Sequence, residues 1–172
     1  YWFSPEYTDV GYQPRQPVRF SHRAHAGTLG MDCRYCHNTV ERSHFSAIPP
    51  TETCITCHKH VHKRKKTTSL IRASFGTGRS VPWVRVHMLP DYAFFNHQVH
   101  VAAGVGCVSC HGRIDRMEVV WQAKSLSMGW CLDCHRKPTP NLRPVSQVTN
   151  MRLKTPGKKD PSIKRRLAPP TH

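Results

Sequence analysis

All eight cysteines of the chain fall in C-x-x-C pairs, and histidine follows every pair: Cys33-Arg-Tyr-Cys36-His37, Cys54-Ile-Thr-Cys57-His58, Cys107-Val-Ser-Cys110-His111 and Cys131-Leu-Asp-Cys134-His135. A C-x-x-C pair alone fits a disulfide staple, a zinc knuckle, a redox dithiol or, with histidine next, covalent haem attachment. Histidine supplies 13 of 172 residues, so four chance matches have a probability of roughly 0.00003 as a composition estimate set against the motif. Two thiols at this spacing add to the two vinyl groups of one haem, and the adjacent imidazole reaches the iron. Four c-type haems are therefore expected. Their thioethers fall at Cys33, Cys36, Cys54, Cys57, Cys107, Cys110, Cys131 and Cys134, and their proximal ligands are His37, His58, His111 and His135.

The main competitor is zinc. Between successive pairs, 17 residues separate Cys36 from Cys54 and 20 separate Cys110 from Cys131, spacings that suit tandem four-cysteine ribbons. With a net charge of +16, such a protein would bind nucleic acid. Zinc has no use for the four histidines, however, and the chain offers neither aromatic platforms nor a readable recognition helix.

The sequence is internally duplicated. Phe20-Ser-His22-Arg-Ala-His25 precedes the first pentad as Phe95-Asn-His97-Gln-Val-His100 precedes the third. The copies continue past the pentads, where Val40-Glu41-Arg42 matches Ile114-Asp115-Arg116, and each copy ends in a second pentad. Four irons acting as low-spin carriers need four distal ligands, and His22, His25, His97 and His100 match that number. Residues three apart on one helical turn are too close to grip both faces of one porphyrin but well placed for two neighbours. Which histidine serves which haem is open at this point. His44, His60 and His62 are read as solvated or hydrogen-bonding side chains. His87, outside the repeat, and Met128, just before Cys131, are reserve ligands, Met128 as the sixth ligand of a higher-potential haem.

The fold class that follows is a multihaem cytochrome c, with short α-helices and irregular loops wrapped around a haem stack and little or no β-sheet. A chain with 38% hydrophobic residues, 14 prolines and 10 glycines is poor in material for a self-sufficient core. Prolines at 49, 50, 82, 90, 138 and 140 interrupt longer elements, no run alternates as a strand does, and each pentad should open a short helix. The division is an extension at 1–19, a dihaem module at 20–62, a basic connector at 63–94, a second dihaem module at 95–137 and a proline-rich basic arm at 138–172. The positive charge, partly neutralised by haem propionates, favours acidic partners or anionic headgroups. No run of 18 apolar residues occurs, so no spanning segment lies within the sequence. Haem c is attached outside the bacterial cytoplasmic membrane, and the start Tyr1-Trp2-Phe3 has the character of an interfacial aromatic belt. The expectation is a periplasmic protein, membrane-associated through an N-terminal anchor that precedes residue 1.

Gly11-Tyr-Gln-Pro14, Gln16-Pro-Val18, Phe20-Ser-His-Arg-Ala-His-Ala-Gly27, Asp32-Cys-Arg-Tyr-Cys-His37, Val86-His-Met-Leu-Pro-Asp-Tyr92, Gly104-Val-Gly-Cys107 and Leu126-Ser-Met-Gly-Trp-Cys131 together resemble the multihaem cytochrome c subunit of alternative complex III, over residues 11 to 143. The resemblance implies an electron-transfer subunit of a membrane quinol oxidoreductase. Its partners would be an iron–sulfur and molybdopterin-like subunit, polytopic quinol-binding subunits and a monohaem cytochrome c. That family usually carries five haems. Ala168-Pro-Pro-Thr-His172 resembles Ile48-Pro-Pro-Thr-Glu-Thr53, which runs into Cys54, so a fifth motif is expected beyond residue 172. No serine, cysteine or carboxylate pairs with histidine beyond the haem ligands, and all thiols are consumed, so no catalytic residue is assigned. The function expected is relay of electrons from quinol oxidation to a cytochrome acceptor. The alternatives are a subunit of another membrane quinone or quinol oxidoreductase, a multihaem reductase with one open iron position and, more remotely, a tandem zinc-ribbon nucleic-acid binder.

Overall fold

The computed structural model describes residues 9–153 and Ile163; the Tyr1-Trp2-Phe3 start and the far end of the C-terminal arm lie outside the described residues. Among the described residues six short α-helices follow one another: α1 Cys33–Cys36, α2 Thr51–His58, α3 Ser69–Thr77, α4 His97–Ala102, α5 Cys107–His111 and α6 Met128–Arg136. They are accompanied by a π-helical turn at Arg23–Thr28 and 3₁₀ turns at Lys66–Thr68, Ile114–Arg116, Thr139–Asn141 and Val145–Gln147. Among the described residues the only β-pairing is an isolated antiparallel bridge between Val105 and Leu142. Among the described residues no helix is long and apolar enough to cross a membrane. The buried apolar side chains are mostly small and scattered along the chain: Val18, Ile71, Val86, Val101, Met117, Leu126, Leu142, Val148 and Ile163.

The four pentads do not all open helices. Cys33 opens α1, where the Asp32 carboxylate accepts from the Arg34 amide, and Cys107 opens α5. In the second pentad of each module the helix begins three residues earlier. Pro50 is the N-cap of α2, and the Ser127 hydroxyl, accepting from the Trp130 amide at 3.3 Å, caps α6. Those local start signals set the boundary ahead of the cysteines. The connector at 63–94 also contains a helix that its basic, Ser/Thr-rich composition does not announce. Helix α3 packs on α2, buries Ile71 and Ser74, and ends on the left-handed Gly78. The Ser74 hydroxyl links it to Thr51 at the start of α2 at 2.8 Å and to the Arg79 carbonyl at 2.6 Å.

Each copy of the duplicated unit rests on the other. The Arg23 amide donates to the Met117 carbonyl, while the His97 and Gln98 amides donate to the His44 and Ser43 carbonyls. The loop after the first pentad of one module thus receives the two-histidine turn of its partner, in both directions. Gly27 permits the tighter of these approaches, because a Cβ there would overlap the Asp115 carbonyl oxygen. Residues 11–16 are stitched to later chain. Gly11 and Gln122 pair through Gly11 N to Gln122 O and Gln122 N to Tyr12 O, and the Gln16 amide grips Val84 through both its oxygen and its nitrogen.

Candidate haem-ligand site

The two-histidine turns are built alike, and the leading phenylalanine explains how. Phe20 stacks on His25 (4.4 Å, 23°) and meets His22 edge-on (4.8 Å, 85°). Phe95 stacks on His100 (4.6 Å, 30°) and meets His97 edge-on (4.7 Å, 87°). One aromatic ring therefore contacts both imidazoles of its turn, one face-on and the other edge-on, so the two cannot be parallel. The first turn is further fixed by the Ser21 hydroxyl, which accepts from the Ala24 amide at 3.0 Å.

The same turns place each imidazole opposite a pentad histidine. His22 faces His37 with ring centres 6.5 Å apart and planes 6° from parallel; His97 faces His111 at 6.5 Å and 8°. His25 faces His58 at 6.2 Å and 58°; His100 faces His135 at 6.0 Å and 60°. A metal–imidazole bond is about 2.0 Å and the ring centre lies roughly 1.1 Å behind the nitrogen, so two imidazoles across one metal ion have centres about 6.2 Å apart. All four separations fit that requirement, and the interplanar angles repeat between the modules.

Hydrogen bonds leave the right nitrogen available. Nδ1 of His25 donates to Ser21 O at 2.8 Å, that of His37 to Ala47 O at 2.9 Å and that of His58 to Val61 O at 3.1 Å. Nδ1 of His97 donates to His44 O at 2.9 Å and that of His100 to Asn96 O at 2.7 Å. A protonated Nδ1 fixes the tautomer with its lone pair on Nε2, the arrangement a metal-bound histidine uses. Burial lowers His111 to about 3, helped by the charges of His87, His97, His37 and His22. It lowers His22 to about 4, with His37, His25 and His87 adding to the shift. Both rings stay neutral, as ligation requires.

His87 and Met128 stand elsewhere. His87 meets His111 edge-on at 4.5 Å and 81°, with its Nε2 3.3 Å from His111 Nδ1; it is beside the pentad histidine, while His97 holds the opposite face. Met128 is 52% exposed at the start of α6, and the ring across from His135 is that of His100. His44 contributes its backbone carbonyl. His62 lies 6.3 Å from His58, but it is exposed and has no counterpart in the second module. The sequence reading missed both the phenylalanine wedge and the carbonyl acceptors. The first was written in the repeat itself; a backbone oxygen has no side-chain signal.

No disulfide joins any of the eight cysteines, so each sulfur is available for a thioether. Burial pushes Cys33 up to about 11 and Cys110 up to about 12. Their neighbours reveal the layout. Cys57 lies close enough to Cys36, and Cys134 and Cys131 to Cys110, to add to the upward push on Cys36 and Cys110. Across the modules Cys107 does the same to Cys33. The first pentads of the two modules are thus neighbours. Asp32, held down to about 2 chiefly by the Arg34 side chain, caps α1 beside this junction and accepts from Thr149 at 2.8 Å.

Comparison with known proteins bears on the fold. The class III cytochrome c family matches residues 4–88, and the family of cytochrome c7 and related cytochromes c matches residues 93–155. The multiheme cytochrome c subunit of menaquinone reductase from Nitratidesulfovibrio vulgaris strain Hildenborough is 34% identical over 112 residues, covering 64% of this chain and 51% of the relative. The chain spans about half the length of that relative. With the pentads, the short-helix architecture and two adjoining family matches on one chain, the protein has the multihaem cytochrome fold of the class III and c7 type, with motifs for several c-type haems.

Proposed function

We propose that the chain is the electron-relay subunit of a membrane quinone or quinol oxidoreductase on the periplasmic side, and that it performs no substrate chemistry of its own. The observation that carries this is the set of four facing imidazole pairs at 6.0–6.5 Å. The pairs are His22/His37 for the motif at Cys33, His25/His58 for Cys54, His97/His111 for Cys107 and His100/His135 for Cys131. Bound haem would supply a one-electron iron couple at each position. The protein's part is to hold two neutral imidazoles on each iron, which leaves no position for a substrate and argues against a reductase with an open site.

The Cys33–Cys107 proximity supports a definite order. The sites run Cys54, Cys33, Cys107, Cys131, with the near-parallel pairs inside and the crossed pairs at the ends. Electrons enter at one end and leave at the other. The resemblance to alternative complex III favours quinol as the source and a cytochrome as acceptor, with an iron–sulfur subunit, polytopic quinol-binding subunits and a monohaem cytochrome as partners, an N-terminal anchor and a fifth haem motif following residue 172. The relative's name favours a second reading, in which menaquinone is the acceptor. Reducing the isolated complex with a quinol analogue, and separately with a reduced cytochrome, distinguishes the two directions.

The ligand reading is tested by electron paramagnetic resonance of the oxidised, haem-loaded protein. Two rhombic low-spin signals from near-parallel imidazoles and two signals of larger anisotropy from crossed ones are expected. A stoichiometric high-spin signal would overturn it.

A further inference from the structure

His87 is the histidine that the four facing pairs leave over, and its surroundings hold it firmly. It sits on an extended strap between buried Val86 and Met88, whose amide donates to Gln122 Oε1 at 3.4 Å. The Arg85 guanidinium donates to the His87 carbonyl at 3.0 Å. Its ring is half-buried, and its Nε2 lies 3.3 Å from Nδ1 of His111. Five of the other facing histidines direct Nδ1 at a main-chain carbonyl. His111 directs it at an imidazole.

We propose that His87 is a positioning residue for the haem at Cys107: it accepts the Nδ1 proton of His111, fixes that ring across from His97, and sets this iron's potential apart from its neighbour's. The inference rests on His111 being an axial ligand. With Nε2 on iron, a neutral His111 carries its remaining proton on Nδ1, so it donates and the His87 Nε2 lone pair accepts. An imidazole nitrogen is a more basic acceptor than an amide carbonyl. It therefore leaves His111 more electron-rich, and the ferric form gains more than the ferrous. The duplicated partner of His111 is His37, which donates to the Ala47 carbonyl instead. The two inner irons thus receive ligand pairs of almost equal geometry, 6.5 Å with 6° and 8°, but different outer partners. His87 removes an equivalence that the duplication would otherwise impose.

The experiment is a spectroelectrochemical titration of the full-length, haem-loaded protein and its His87→Phe and His87→Gln variants, with spin state followed in parallel. For His87→Phe one of the four potentials should rise, by about tenfold in the reduced-to-oxidised ratio at fixed ambient potential, or about 59 mV for one electron. All irons should remain low-spin. His87→Gln, whose amide oxygen can still accept, should recover part of the shift. Unchanged potentials, a uniform rise of all four, or a new high-spin iron would each overturn the proposal, the last by making His87 itself a ligand. The wild-type protein provides an independent reading if a variant fails to mature. In the reduced state the exchangeable Nδ1 proton of His111 should show a nuclear Overhauser contact to the His87 ring, and its absence refutes the contact. A high-spin wild-type protein would instead fault the ligand assignment on which the proposal stands.

Discussion

Replacing Gly27 by alanine tests whether close packing between the modules holds the histidines at ligand distance. The added Cβ would meet the Asp115 carbonyl oxygen, more than ~1 Å inside an ordinary contact of about 3.5 Å. Asp115 cannot yield easily: it is buried, lies in the Ile114–Arg116 turn, and its carboxylate holds Arg113 through both oxygens at 2.7 and 2.6 Å. The Arg23–Thr28 turn must move instead, at the roughly 1–3 kcal/mol typical of overpacking. That turn carries His25 and begins directly after His22, while metal–ligand distances tolerate only about 0.2 Å. A shift of about 1 Å should therefore detach both imidazoles from their partners. Gly27→Ala is expected to convert up to two of the four irons to high spin, read by absorbance and electron paramagnetic resonance, and to lower the denaturation midpoint. The signals of the His97/His111 and His100/His135 pairs should persist. A variant with four low-spin irons and unchanged stability would refute the reasoning.

Three further substitutions probe separate parts of the construction. Gly76, inside α3, has open space around its would-be Cβ and no left-handed backbone angle, so Gly76→Ala should raise stability by about 0.5–1 kcal/mol in chemical denaturation; a loss would place an unseen constraint on α3. Asp32→Ala removes the α1 cap and should lower stability at pH 7 by about 1 kcal/mol, the exposed ion pair adding little. Because the Arg34 side chain holds Asp32 down to about 2 against an ordinary 3.8, the unfolded chain takes up this proton first. The contribution is present above about pH 4 and lost as pH falls towards 2, so melts at pH 7 and pH 2.5 should differ less in the variant than in the parent. His25→Ala should give one high-spin iron and His62→Ala none. The reverse result would assign the 6.3 Å His58–His62 contact as the ligating one.

The parts of this site that were legible in the sequence are those written in local covalent chemistry. A C-x-x-C-H pentad declares itself within five residues, and duplication exposed the second set of histidines because an independent solvated side chain has no reason to recur in register. The pairing was not legible, because spacing permits either member of each turn to serve either haem. It emerges from the way Phe20 and Phe95 rotate their two imidazoles and from which pentad then stands opposite. The exchange of loops between modules was hidden for a different reason. Its contacts use the backbone at Ser43, His44 and Met117, where side-chain identity carries no information. Helix α3 was obscured by the basic residues before it, although Ile71 with Phe75 and the terminal Gly78 form a helical pattern.

The differences between the two copies say more about function than their likeness. Equal ligand angles would give two inner sites and two outer sites of matched character, with no preferred direction among them. Three departures act against that symmetry: Gly27 brings the first turn onto the Asp115 backbone, the His44 carbonyl supports His97, and His87 occupies the outer side of His111 but not of its counterpart His37. Each changes how an imidazole is held without changing that it can ligate. Hydrogen bonding to a ligand and the burial around it are the levers by which a protein separates the potentials of chemically identical haems. Under the proposed relay, a duplicated fold serves as a directional path when the copies diverge just outside the ligands, and residues 27, 44 and 87 are where the two copies differ beside the facing imidazoles.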